Sequence, residues 1–500
     1  MTGSPSLGSL DSRAASRNAG GGAARAVPAP WTPGEILTLA AILLVAAGLR
    51  LRLALGYPLG FDEIYVVHVA RQSLGEAFRL VAADIHPPLQ YLLHWAWVRI
   101  GGDGALWFRS LSIAFALGSM GAAYALGRRV FGPPAALFAL ALLALNPEHL
   151  VFSVVADDYS LEWLLLMVAT ASGWAWLRDG RVRDAVIYVI AGALATYSHY
   201  LSIYYLLVLC VTGVALMERK ARLRWLALHV VIAAAFLPQV PVFVTQFHRE
   251  GSGAYFRFPT PDQIGRLWRQ MSFNVRAFVP LMAILALIPL ARSDTRRPAI
   301  FLWVMCAIPL LATRGWVVIL PREALHALPL YLLLVAGGLA MIPWRIVSVL
   351  GGLALLAGAG RAALRASPHP EPVAFGKAEA FLRTRVEPGA LVVHGESHSM
   401  VFFTHYLPRA RNRILVEAGQ RVPFYDAGLV IPESLYISPE QLNDERARGA
   451  PWWGLRTDRS LATKGKFYRA GARAVELFRE TAGDSVWQSA PVTIWRGGPR

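Results

Sequence analysis

The chain has 500 residues, 55% of them hydrophobic and only 16% charged, whereas soluble domains carry about a quarter charged residues. That balance excludes an ordinary water-soluble enzyme and a disordered chain. The net charge of +17 resides in arginine clusters that alternate with long apolar runs, which excludes a nucleic-acid surface and points to a lipid bilayer.

The first 32 residues are rich in Gly, Ala, Ser and Pro without an apolar core, so they read as a disordered cytoplasmic tail and not as a cleaved signal peptide. From residue 33 to about 360, apolar runs of roughly 17 to 25 residues recur, the length needed to cross a bilayer. Their spacing predicts about eleven transmembrane helices, at roughly 34–55, 108–127, 134–151, 161–177, 184–197, 199–217, 225–244, 277–291, 298–313, 323–342 and 345–359. Arginines at 128/129, 178/181/183, 219/222/224, 292/296/297 and 345 mark one side as cytoplasmic. The expected residence is the bacterial cytoplasmic (inner) membrane, as a multi-pass protein with its amino terminus inside.

Three regions then lie outside: a first loop over 56–107, a loop over 245–276, and everything after 361. In the first loop, "EIYVVHVARQSLGEAFRLV" and "PLQYLLHWAWVRIGG" have helical spacing but are too short to span, and are expected to lie along the interface. The loop with Arg257, Arg266, Arg269 and Arg276 among aromatics reads as an interface-seeking lid. Residues 361–500 alternate helical stretches with short strands such as "GALVVHG", "RILVEAG" and "APVTIWRG", a small soluble α/β domain. Cys210 and Cys306 both fall within spans, so no external disulfide framework is available.

Four motifs carry candidate chemistry. "GFDEIYVVH" places Asp62 and Glu63 directly after the first span; helix capping is the commoner use of such a pair, and a base in a water-filled cavity is the alternative. "ADIHPPLQYLL" fixes His86 ahead of a Pro-Pro turn at a helix entrance. "SVVADDYSLEWLL" sets Asp157, Asp158 and Tyr159 at the outer end of the fourth span, where an N-cap, a cation site or an acceptor site are all open. "LPREALHALPLYLLL" spaces Arg322 and His326 by one helical turn, and arginine can fork a phosphate.

Taken together with Arg109 in "WFRSLS" and the segment "NPEHLVFSVVADDYSLEWLL", these motifs resemble the GT-C superfamily of membrane glycosyltransferases over roughly residues 34 to 340. Within it, the nearest likeness is to the protein mannosyltransferase-like branch that includes lipid A aminoarabinose transferases. The resemblance implies a polytopic helical fold and inverting transfer of a hexose or pentose from a polyprenyl-phosphate-linked donor. The acceptor, whether lipid, protein or polysaccharide, would lie on the extracytoplasmic face. It implies Asp62, with Glu63, as the catalytic carboxylates and His86, Asp157, Asp158 and Tyr159 about the acceptor. Arg322, His326 and Arg257 are assigned to the donor phosphate. Related sequences often carry arginine where this chain has Asp157, and tyrosine where it has Glu323. That inversion of charge turns Asp157 and Asp158 toward an amine, a sugar hydroxyl or a divalent metal. A flippase of lipid-linked saccharides is the alternative reading; it expects carboxylates at mid-membrane, and the middles of the spans are nearly free of them.

Overall fold

The computed structural model describes residues 30–249, 261–312, 323–367, 370–416, 433–449, 451–457, 476–480, 485–489 and 492–497. Chain entry into the first helix follows local capping chemistry: the Thr32 hydroxyl accepts from the Glu35 amide at 3.1 Å, with Pro33 at the first helical position. Helix α1 (Pro33–Ala54) is followed by three helices of the first loop, α2 (Phe61–Arg71), α3 (Leu74–Ala83) and α4 (Leu89–Gly101). A helical bundle continues through α5 (Ala105–Val130), α6 (Pro133–Leu145), the short α7 (Pro147–Phe152), α8 (Tyr159–Asp179), α9 (Val182–Thr196) and α10 (Leu201–Leu216). Next come α11 (Arg219–Phe236), α12 (Val240–Arg249), α13 (Pro261–Met271), α14 (Phe278–Ala291), α15 (Ser293–Ala312), α16 (Leu328–Ala340) and α17 (Arg345–Arg365).

Among the described residues, five helices are long and apolar enough to cross a membrane, and four more are shorter apolar helices. Their exposure divides them by position. α8 is largely enclosed, with the Trp163 and Leu166 side chains buried, whereas α1, α11 and α17 turn Leu37, Leu44, Leu223, Val230, Ile346 and Leu353 outward. A ring of large apolar side chains at 58–76% exposure is far beyond what water tolerates on a folded surface and suits hydrocarbon. Inside the ring, polar groups satisfy themselves locally: Thr170 donates to the Leu166 carbonyl at 2.7 Å and its hydroxyl meets that of Tyr205 at 2.7 Å.

Arg128 of α5 pairs with Glu35 of α1, to which Tyr124 also donates. Close helix contact depends on small residues: a Cβ placed on Gly338 of α16 would run into the Leu285 backbone carbonyl of α14, while one on Gly121 of α5 meets nothing within 4 Å. Gly338→Ala is therefore expected to destabilise the bundle by about 1–3 kcal/mol through overpacking. Gly121→Ala should be neutral or stabilising by a few tenths to about 1 kcal/mol. Thermal unfolding in detergent, read by intrinsic fluorescence, checks both; equal melting temperatures for the two variants would contradict the packing argument.

Beyond α17 the chain leaves the bundle through α18 (Pro370–Arg383) and forms a mixed sheet from β1 (Leu391–His394), β2 (Arg411–Leu415), β3 (Tyr436–Ile437), β4 (Trp452–Thr457), β5 (Trp487–Ser489) and β6 (Val492–Gly497). Helix α19 (Ser397–Tyr406) links β1 to β2 and α20 (Pro439–Ala447) links β3 to β4. The strand order is β3-β2-β1-β4-β6-β5. β1 to β4 pair in parallel and β6 runs antiparallel to β4 and β5. Central β1 is buried at all four residues, as its unbroken apolar "LVV" requires in a strand covered on both faces. The expected α/β character is present, with β4 in "WWGLRT" and α19 in "SHSMVFFTHY" added to what periodicity suggested.

The helices of the first loop are covered by the C-terminal region: α2 buries Ile64, Tyr65, Val66, Val67, Val69 and Ala70, and Tyr65, Val67 and Leu80 share a core with Phe375, Phe402, Phe403 and Val492. The first stretch also breaks into two helices at Ser73, whose hydroxyl accepts from the Glu76 amide at 3.3 Å and caps α3.

Candidate functional site

The acidic pair in the first turn of α2 splits into two unlike side chains. Glu63 is 2% exposed. Its carboxylate takes Arg109 in a two-pronged contact, Nε to Oε1 at 2.7 Å and Nη2 to Oε2 at 2.6 Å. It also accepts the Gly60 amide at 2.8 Å and the Ala156 amide at 3.1 Å. Arg109 spends its remaining donors on the carbonyls of Ala54, Tyr57 and Pro58, each at 2.9 Å. The guanidinium also stacks over the Tyr57 ring at 4.0 Å. A buried ion pair survives only with such full hydrogen bonding, and here it fixes the whole turn from Ala54 to Glu63. Glu63 is thus held with both carboxylate oxygens engaged. Asp62, at the second position of α2, is half-buried in the first turn, where the helix dipole favours an anion.

The brace reaches further. Because Ala156 donates to Glu63, the link between α7 and α8 is drawn against the first loop, and Asp157 and Asp158 follow immediately. Asp158 occupies the N-cap position of α8 but makes no side-chain capping bond. Its own amide donates to Asp157 Oδ1 at 2.9 Å. A capping role for Asp158 is therefore replaced by a lateral one: it faces His199, from the α9–α10 link, at 3.8 Å.

His86 enters the same cluster. Its ring lies 3.3 Å from Asp84 Oδ2, which also accepts the Tyr91 hydroxyl at 2.5 Å. The Pro-Pro turn is pinned from below, Leu89 donating its amide to the Tyr197 carbonyl at 2.9 Å. Burial would lower the His86 pKa. The hydrogen bond to Asp84 and the carboxylates of Asp158, Asp84 and Asp157 outweigh burial and hold the imidazole well above its ordinary value. His86, Asp158 and His199 bring one ligand atom each to within 4.8 Å of one another. His199 carried no motif; its only sequence signal was the "YSHY" interruption between two apolar runs.

Other expected residues lie differently. Tyr159 is 5% exposed and packs edge-on to Phe152 at 5.7 Å, inside the helical core. His326 is 4% exposed and meets the Tyr205 ring edge-on at 5.2 Å. That is a packing contact within the bundle. Arg322 and Arg257 lie outside the described residues. Arg266, in the loop expected to form a lid, pairs with Asp262 along α13.

The C-terminal domain closes over this turn. Leu59 donates its amide to the Tyr406 hydroxyl at 2.7 Å, and His398 stacks on Phe61 with ring centroids 4.1 Å apart. A Cβ on Gly60 would touch Pro372 at 3.3 Å. The residues flanking Asp62 are thus gripped from below by Arg109 and from above by α18 and α19.

Residues 85–244, which carry His86, the two aspartates and His199, match the family model for dolichyl-phosphate-mannose-protein mannosyltransferase. No curated protein matches the chain. Among solved structures it is similar to ArnT from Cupriavidus metallidurans in the apo state, at 14% identity over 93% of this chain and 99% of that one, with a TM-score of 0.64. The same protein bound to undecaprenyl phosphate matches at 15% identity over 94% and 100% of the two chains, TM-score 0.65. The Archaeoglobus fulgidus oligosaccharyltransferase in complex with Zn and sulfate matches at 14% identity over 75% and 62% of the two chains, TM-score 0.51. The chain thus has the fold of ArnT along 93% of its length, and residues 85–244 match the dolichyl-phosphate-mannose-protein mannosyltransferase family model.

Proposed function

We propose that the protein is an inverting membrane glycosyltransferase that moves a sugar from a polyprenyl-phosphate carrier to a hydroxyl or amine acceptor on the extracytoplasmic face. The observation that carries the reading is the presentation of Asp62: a half-buried carboxylate at a helix N-terminus, on a turn fixed by the Glu63–Arg109 pair. A base held in one geometry is what proton removal from an attacking hydroxyl requires. The leaving group is a phosphate, which departs as an anion, so no second carboxylic acid is needed to protonate it, in contrast to glycoside hydrolysis. In this scheme Asp62 takes the acceptor proton as the new bond forms at the anomeric carbon and the bond to the phosphate oxygen breaks. Glu63 and Arg109 position it. Asp157 shapes the acceptor side, and Arg322 and Arg257 are assigned to the carrier phosphate. ArnT, with its bound undecaprenyl phosphate, supports a polyprenyl carrier.

The test is transfer in proteoliposomes loaded with polyprenyl-phosphate sugars and extracted bacterial envelope acceptors. Release of free polyprenyl phosphate together with a glycosylated product is expected. Glycan crossing sealed vesicles without bond formation would replace this reading by the flippase alternative.

A further inference from the structure

Among the described residues two arginines are fully buried, Arg50 and Arg109, each 0% exposed. Arg109 has the Glu63 carboxylate and three carbonyls for its donors. Arg50, one helical turn before the end of α1, has no carboxylate within ion-pair reach among the described residues. Its Nη1 donates to the Ala46 carbonyl at 2.9 Å and its Nη2 to Nδ1 of His149, on α7, at 2.7 Å, while its Nε is buried without an acceptor. The His149 ring stacks in turn on Trp163 of α8 with centroids 4.7 Å apart, and His149 Nε2 and Trp163 Nε1 are buried without a partner as well. We propose that Arg50, His149 and Trp163 hold a small inorganic anion of the halide class, which joins α1, α7 and α8 beneath the turn that carries Asp62.

The tautomer is the first argument. A guanidinium has donors and no acceptor, so His149 Nδ1 accepts and the ring proton resides on Nε2. Arg50 Nε, His149 Nε2 and Trp163 Nε1 are therefore all N–H donors, one from each of three helices, and no acceptor among the described residues meets them. Buried donors are satisfied in folded proteins as a rule, and a group of three around one side-chain stack calls for an acceptor shared between them. Charge is the second argument. An uncompensated buried guanidinium is strongly destabilising; water would satisfy its N–H groups without neutralising it, and an anion does both. Enclosure is the third. Arg50 and His149 are 0% exposed and Trp163 is 2% exposed, and Leu53 and Leu150, beside them on α1 and α7, are buried in one apolar cluster. That setting suits a compact, untethered ion and turns away a phosphate headgroup, whose lipid tail needs an open path.

The experiment uses the full chain, purified in sodium gluconate, reconstituted in lipid nanodiscs and melted while chloride replaces gluconate at constant ionic strength. The expected result is a melting temperature that rises with chloride and saturates, with bromide acting alike. Arg50→Met removes the charge and should abolish the response. Trp163→Phe keeps the ring stack and removes one donor. It should raise the half-saturating chloride concentration by about 10- to 100-fold, the effect of losing one hydrogen bond to a charged group. A parent chain that melts alike in both salts overturns the proposal, as does an Arg50→Met chain that keeps the parent's response or a Trp163→Phe chain with unchanged half-saturation. Where Arg50→Met fails to fold, the Trp163→Phe shift still decides. No sugar donor enters the assay, so its outcome is independent of the transfer reading.

Discussion

Asp62→Asn is expected to lower transfer from a polyprenyl-phosphate sugar by about 10²- to 10⁴-fold, the contribution of a positioned base. The substitution keeps shape and volume and leaves the Glu63–Arg109 pair and the Tyr406 contact untouched. Melting temperature and chromatographic profile should therefore match the parent. Donor affinity should also be little changed, because the carboxylate acts on the acceptor proton and not on the carrier phosphate. Steady-state kinetics in proteoliposomes, with donor and acceptor varied in turn, separate these terms. Undiminished kcat in Asp62→Asn, alongside an active parent, would sink the role given to this residue. Glu63→Gln is the matched comparison. It should also lower activity, but with a lower melting temperature, because it weakens a brace and does not remove a base.

The second large effect is expected at Arg109. It is fully buried, with one carboxylate and three carbonyls depending on its donors. Removing it leaves Glu63 buried and uncompensated, a cost of about 3–5 kcal/mol. Arg109→Ala should therefore fold poorly or unfold at markedly lower temperature. Arg109→Lys should not rescue it, because an ammonium cannot reproduce the planar fork that meets both Glu63 oxygens and the carbonyls at once. The double variant Arg109→Met with Glu63→Gln removes both charges and should regain much of the stability. It should remain inactive, since nothing then fixes the turn that carries Asp62. Limited proteolysis between residues 54 and 63 would report that loosening directly. A stable and active double variant would show that the turn holds its shape without the pair.

The C-terminal domain offers a smaller test of the same idea. His398→Phe preserves the ring stack on Phe61 and should retain most of the activity, whereas His398→Ala should lower kcat without a large change in donor KM. Loss of activity in both variants would point to chemistry at the imidazole and away from positioning.

How much of the fold and site is legible in the chain alone follows from the range of each physical signal. Hydropathy over a window of helical length is a local property, and it places helices close to α1, α5, α8, α14 and α17 as they occur. Pro-Pro punctuation likewise places His86 at the entrance of α4. Glu63 and Asp62 are indistinguishable in sequence, because neighbouring acids share composition and charge. Their separation depends on an arginine 46 positions away. The same limit hides His199, a single histidine in a short break between two apolar helices. It also hides the burial of α2, since the apolar residues that should mark an interface helix face a second domain. In the bundle, the His326 ring packs edge-on against Tyr205, a contact its spacing from Arg322 does not foretell. Periodicity reports which face a residue occupies but not what is packed against that face.

Sequence by itself determined the membrane class, the predominantly helical fold and the α/β nature of the C-terminal region. Each of these follows from local composition, helical period or the alternation of arginine with apolar runs. Tertiary structure alone decided that Glu63 is locked to Arg109, that Asp158 lies beside His86 and His199, and that α19 of the C-terminal domain holds the turn ahead of Asp62. Those are long-range pairings, fixed by the cost of burying charge and by the packing of distant segments, and no short window of residues encodes them.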